Sequence, residues 1–129
     1  MAQASSRPLS PHLQIYRWYI TMVMSIVHRA TGIAVTVGLL GLTWWLTALA
    51  SGPESFARVQ WALYNPLGWL ILFGFTLALF LHAVTGVRHL LWDWGYGLNK
   101  HAATRTSYWL IGIAVGLTLL TWIAIVALV

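Results

Sequence analysis

The chain has 129 residues, of which 60% are hydrophobic and only 7% charged, and it contains no cysteine. A soluble domain carries about 25% charged residues, so this composition excludes a water-covered globule and predicts an all-α membrane protein with three transmembrane helices; the missing thiols exclude disulfides, thiolate metal sites and iron–sulfur ligation from this chain. The formal charge of +5 comes from cations scattered at helix ends, which is the pattern of a topology signal and not of a nucleic-acid-binding face.

The whole length reads as a single membrane-anchor domain, residues 1–129. Residues 1–20 form a cytoplasmic or interfacial segment. Pro8 and Pro11 preclude a regular helix before His12. Leu9, Leu13, Ile15 and Tyr16 alternate there with charge, which fits a membrane interface or the surface of a soluble partner; a plain disordered tail is the alternative.

The first span is placed at 22–50. His28 and Arg29 interrupt it, and residues 30–50 then carry no charge, a run long enough to cross a hydrocarbon core of about 30 Å. Ser25, Arg29, Gly32 and Thr36 recur at i, i+4, i+7 and i+11, so they share one helix face. Gly38 and Gly41 are candidate points of close helix approach. Residues 51–65 read as a loop opened by Gly52-Pro53. Pro66 starts the second span, 66–94, and Gly95, Gly97 and Asn99 end it. Residues 97–107 read as a polar loop, and the third span, 107–129, is free of charge. No internal repeat stands out.

Arg7, Arg17 and Arg29 lie on the N-terminal side, and Arg88, Lys100 and Arg105 on the side of the second loop; of the cations, the first loop holds only Arg58. The positive-inside rule then puts the N-terminus and second loop in the cytoplasm and the first loop and C-terminus outside, in a chain that crosses the membrane several times.

The chemistry concentrates in HAVTGVRHLLWDWGY, residues 82–96. His82, Gly86, His89 and Asp93 fall on one helical face. Counting back from Trp92 at about 1.5 Å per residue puts His82 about 15 Å below the inner interface and His89 about 5 Å below it. Ionisable groups at such depth mark functional sites. Two readings fit His82: a hydrogen bond to a Ser or Thr on a neighbouring helix, or axial ligation of haem iron. On the second reading His28, Arg29 and His89 lie at the end where haem propionates would need cations, though Arg29 also fits a plain topology anchor. His28, His89 and His101 are all expected near the inner surface. A low-spin haem takes two protein ligands, so the second would come from another polypeptide.

Three motifs, RPLSPHLQIYR (residues 7–17), SIVHRATG (residues 25–32) and HAVTGVRHLLWDWGY, together resemble the cytochrome b subunits of succinate dehydrogenase, respiratory complex II, over nearly the whole chain. The resemblance implies a haem b-binding anchor subunit of a succinate:quinone oxidoreductase. It implies a second small membrane-anchor subunit supplying the other haem ligand, and an iron–sulfur subunit and a flavoprotein subunit held at the inner face. Ubiquinone or menaquinone is the implied substrate of the membrane part. By the same resemblance His82 is the haem ligand, His28 and Arg29 lie near the propionates, His89 lies near the haem edge, and Ser25, Arg29 and Asp93 belong to the quinone site. The chain carries no flavin, dicarboxylate or cluster site, so no dehydrogenase activity is expected from it alone. Read without the resemblance, the same residues also fit a non-redox membrane scaffold or transporter subunit, or a b-type cytochrome subunit of another membrane dehydrogenase.

Overall fold

The computed structural model describes residues 16–128; the expectations for residues 1–15, with Pro8, Pro11 and His12, lie outside the described residues. Four helices follow one another: α1 (Ile20–Ala50), α2 (Pro53–Leu63), α3 (Pro66–Asp93) and α4 (Lys100–Leu128). Three of them, α1, α3 and α4, are long and apolar enough to cross a membrane, as the hydropathy pattern predicts.

Two stretches expected as loops are helical. Within 51–65, α2 begins on Pro53 with Glu54 in its first turn, where a fixed φ and a carboxylate both favour a helix start. Asn65 then joins α2 to α3. Its Nδ2 donates to the Ala62 carbonyl at 2.8 Å, and its Oδ1 accepts from the Gly68 N–H at 3.0 Å, so one side chain satisfies a C-terminal carbonyl and an N-terminal amide. Helix α4 begins at Lys100, because the Asn99 side chain accepts from the His101 N–H at 2.9 Å. Between them, α3 ends where Gly95 turns at φ 83°. The Tyr96 N–H reaches back to the Leu91 carbonyl at 2.9 Å, the six-to-one bond of a glycine-terminated helix.

Helix α3 is central and packs on both α1 and α4, which touch each other less. The interior is small and partly polar. Met24, Ala48, Val59, Ala103 and Ala114 are buried beside Thr31, Thr85, Ser107 and Thr118. Buried hydroxyls satisfy themselves on their own helices, as Thr118 does on the Ala114 carbonyl at 2.8 Å. The large aliphatic side chains face outward, among them Leu40 and Val126. That inversion is what lipid demands, since lipid tails solvate leucine as well as another helix does and association falls to small residues and polar contacts. Gly38 is one such point: a Cβ there would fall inside the Phe75 ring of α3. Gly41 has open space beside it and makes no close approach among the described residues.

The ends of the helices converge. Lys100 Nζ, at the start of α4, lies 5.3 Å from the Tyr19 ring centroid at the start of α1. The carboxyl end of α3 therefore shares one end of the bundle with the amino ends of α1 and α4, and α2 caps the opposite end.

Candidate functional site

Helix α1 starts at Ile20, so His28 lies about 12 Å along it at about 1.5 Å per residue. This corrects the expected depths. His28 is level with His82: their rings stack with centroids 4.3 Å apart and planes 4° apart. His89 closes the group, tilted, 4.8 Å from His28. Three imidazoles thus meet in the seam between α1 and α3, each half-buried.

The seam has a local two-fold pattern that the sequence reading passed over. HRATG (residues 28–32) and HAVTG (residues 82–86) are both His-x-x-Thr-Gly. The two helices run antiparallel, and each motif reads the other. His28 Nδ1 lies 2.7 Å from Thr85 Oγ1. His82 Nδ1 lies 3.3 Å from Thr31 Oγ1 and 3.2 Å from the His28 carbonyl oxygen. The glycines make the room: a Cβ on Gly32 would stand 3.2 Å from His82 Cε1, and one on Gly86 would stand 3.8 Å from His28 Cε1.

These contacts assign the ring protons. Thr85 spends its hydroxyl hydrogen on the carbonyls of Leu81, at 2.5 Å, and His82. Thr31 spends its own on those of Val27 and His28. A hydroxyl has one hydrogen, so each threonine oxygen accepts from the facing imidazole. Both histidines therefore direct an Nδ1 proton at their acceptors, and among the described residues neither Nε2 atom has a hydrogen-bond partner. The histidine–threonine bond expected of a structural histidine is present, and it leaves the second ring nitrogen of each histidine open.

A second group supports the first. Arg88 is buried on the α4 side of α3 and donates from Nη1 to Ser107 Oγ at 2.7 Å. Its Cζ lies 4.5 Å from the Trp92 ring centroid, and Trp92 stands edge-on to His89 at 5.4 Å. Thr31, Thr85 and Ser107 were not singled out in the sequence, and Arg88 was read only as a topology cation. The repeated His-x-x-Thr-Gly was the signal available for the threonines.

The remaining expected residues stand apart. The stripe Ser25, Arg29, Gly32 and Thr36 does not enter the seam as a unit: Gly32 faces His82, whereas Arg29 and Thr36 are exposed and Ser25 is half-buried. The face of α1 that meets α3 is set by His28, Thr31 and Gly32, so Arg29 is turned about 100° away from its neighbour His28. Asp93 is exposed at the end of α3. Among the described residues, Ser25, Arg29 and Asp93 make no side-chain hydrogen bond or ion pair. Two surface clefts lie at the opposite end of the bundle, around Trp61 and Tyr64 and around Ser51 and Arg58, and hold none of these residues.

Comparison with known proteins gives the family. The family model of the succinate dehydrogenase/fumarate reductase transmembrane subunit matches residues 3–121. The succinate dehydrogenase cytochrome b556 subunit of Paracoccus denitrificans is 44% identical, across 92% of this chain and 91% of that protein. The cytochrome b560 subunit of Reclinomonas americana is 36% identical, across 92% and 85%. The mitochondrial cytochrome b560 subunit of Sus scrofa is 42% identical, across 80% and 62%. With nearly its full length matched, the chain belongs to the succinate dehydrogenase/fumarate reductase transmembrane subunit family.

Proposed function

We propose that the chain is the haem b-binding membrane-anchor subunit of a succinate:quinone oxidoreductase in the inner membrane, with its N-terminus in the cytoplasm. A second small anchor subunit works beside it, and the iron–sulfur and flavoprotein subunits dock at the end where α1 begins. The relatives' names as cytochrome b subunits support the cofactor. The observation that carries the reading is the placement of His82 Nδ1 against two oxygen atoms of α1. A histidine that ligates iron commonly donates its other N–H to a backbone carbonyl or side-chain acceptor, which fixes tautomer and orientation. His82 does this toward the His28 carbonyl and Thr31, so its residues fit the role.

Haem b, when bound, supplies a one-electron carrier between the iron–sulfur subunit and the membrane site. The chain's own residues do the rest. His82 offers Nε2 to the iron. His28, Arg29 and His89 supply cationic or donating groups for the propionates. The stacked imidazoles of His28 and His82 do not face each other across a gap, so a second ligand would come from the partner anchor. On the outer side of α1, the unpartnered Ser25 hydroxyl and the exposed Arg29 one turn away provide donors for quinone carbonyl oxygens. Asp93, exposed at the same end, provides a proton route to water.

His28 and His82 have similar hydrogen bonding, so the paired substitution is decisive. His82→Ala is expected to remove or shift the haem α band of the purified complex, while His28→Ala retains an axially ligated haem. An unchanged spectrum in His82→Ala rejects the assignment. Ser25→Ala and Arg29→Gln are expected to impair quinone reduction while electron transfer to a soluble artificial acceptor persists. Equal loss of both activities would make these residues structural.

A further inference from the structure

Arg88 is 4% exposed, and every group it meets is neutral. Nη1 donates to Ser107, the guanidinium lies over Trp92, and among the described residues Nε is enclosed without a partner. Nor does any carboxylate side chain among the described residues neutralise it. There are two acids. Asp93 lies five residues further along α3, which turns it about 140° from Arg88, and it is exposed. Glu54 sits in the first turn of α2, at the opposite end of the bundle. Residues 1–15 contain no acid. A buried cation without a counterion is costly in protein and in lipid alike, so its presence beside a cluster of histidines calls for a role.

We infer that Arg88 sets the reduction potential of the electron carrier held at His82. The inference rests on the haem reading above. Reduction adds one electron to the iron, Fe(III) to Fe(II), and transfers nothing else, so the site gains one negative charge. A fixed positive charge nearby stabilises that product. Arg88 lies six residues from His82 on the same helix, about 9 Å of rise, and on a different face, so the charge stands farther off than the rise alone. At an effective dielectric of about 20, a unit charge somewhat beyond that distance changes the ratio of reduced to oxidised carrier by on the order of tenfold. Arg88 is also a positioning residue: its bond to α4 and its stacking hold Trp92 against His89, which in turn packs on His28.

The test is a redox titration of the haem α band in the complete purified complex, with dithionite as reductant. Arg88→Gln removes the charge. Ser107→Asp leaves Arg88 in place and sets a carboxylate beside it. Both are expected to titrate at lower potential, with a reduced-to-oxidised ratio on the order of tenfold lower at the ambient potential that half-reduces the parent. Arg88→Lys keeps the charge and is expected to titrate with the parent. Should Arg88→Gln fail to assemble, Ser107→Asp decides alone. An unchanged midpoint in Ser107→Asp, or equal shifts for the Lys and Gln variants, overturns the inference and leaves the haem reading standing. A complex that contains no haem overturns both.

Discussion

At the scale of single residues, the seam between α1 and α3 is a reciprocal device. Each histidine is held by the threonine of the other motif, but the two are not held equally. His28 has one acceptor, Thr85, at 2.7 Å. His82 has two, Thr31 and the His28 carbonyl, both longer. Removing an acceptor from a buried donor costs roughly 1–3 kcal/mol. Thr85→Val is therefore expected to lower the melting temperature of the purified complex more than Thr31→Val, because His82 keeps the carbonyl. Thr85→Ser should recover most of the loss, as the serine hydroxyl can make the same back-bond and accept from the same nitrogen. The opposite order of the two valine variants would show that the proton assignment is wrong. The histidines were legible as chemistry from their depth in an apolar run. Their partners were not, because a stripe drawn at i, i+4, i+7 and i+11 through Ser25 passes through Arg29 and misses the neighbouring face that carries His28 and Thr31. The short repeated motif was the better guide, since antiparallel helices with the same pentapeptide can satisfy each other.

Among the elements, what hydropathy reveals is the lipid-facing property. Helices α1, α3 and α4 were visible because long uncharged runs have no other use in a chain with so few charges. Helix α2 and the first turns of α4 were hidden for the converse reason. They hold their form through caps, Asn65 and Asn99, and polar sequence without a long hydrophobic period looks like loop. Asn65→Ala should cost about 0.5–2 kcal/mol, more toward the upper end because it frees groups on two helices at once. The closest packing point offers a sharper check. With a Cβ at Gly38 lying inside the Phe75 ring, Gly38→Ala must push α1 and α3 apart or turn the ring. Gly38→Ala alone is expected to destabilise the complex by about 1–3 kcal/mol. Combined with Phe75→Leu, it should lose much less than the sum of the two single changes, since the smaller side chain vacates the collision. Additive losses in that double-mutant cycle would place Phe75 elsewhere than against Gly38.

For the molecule as a whole, the question is what this bundle does by itself. Its buried core is a handful of small and polar side chains, and its one dense cluster of chemistry presents two free imidazole nitrogens from rings that lie flat on each other. Flat stacking keeps the two rings from facing each other across a gap. On the haem reading, this chain would then supply one histidine ligand and a second polypeptide the other, and a haem held by one histidine alone would bind more weakly. The expected outcome is specific. Membranes containing this chain alone should show no low-spin b-type α band, or haem that is lost on detergent extraction. Co-expression with a second small anchor chain carrying a membrane histidine should restore a stable band, and His82→Ala should abolish the restoration. A stable low-spin haem in the isolated chain would mean that the histidines rearrange from the stacked geometry to face one iron from opposite sides, and the partner's role in ligation would have to be abandoned.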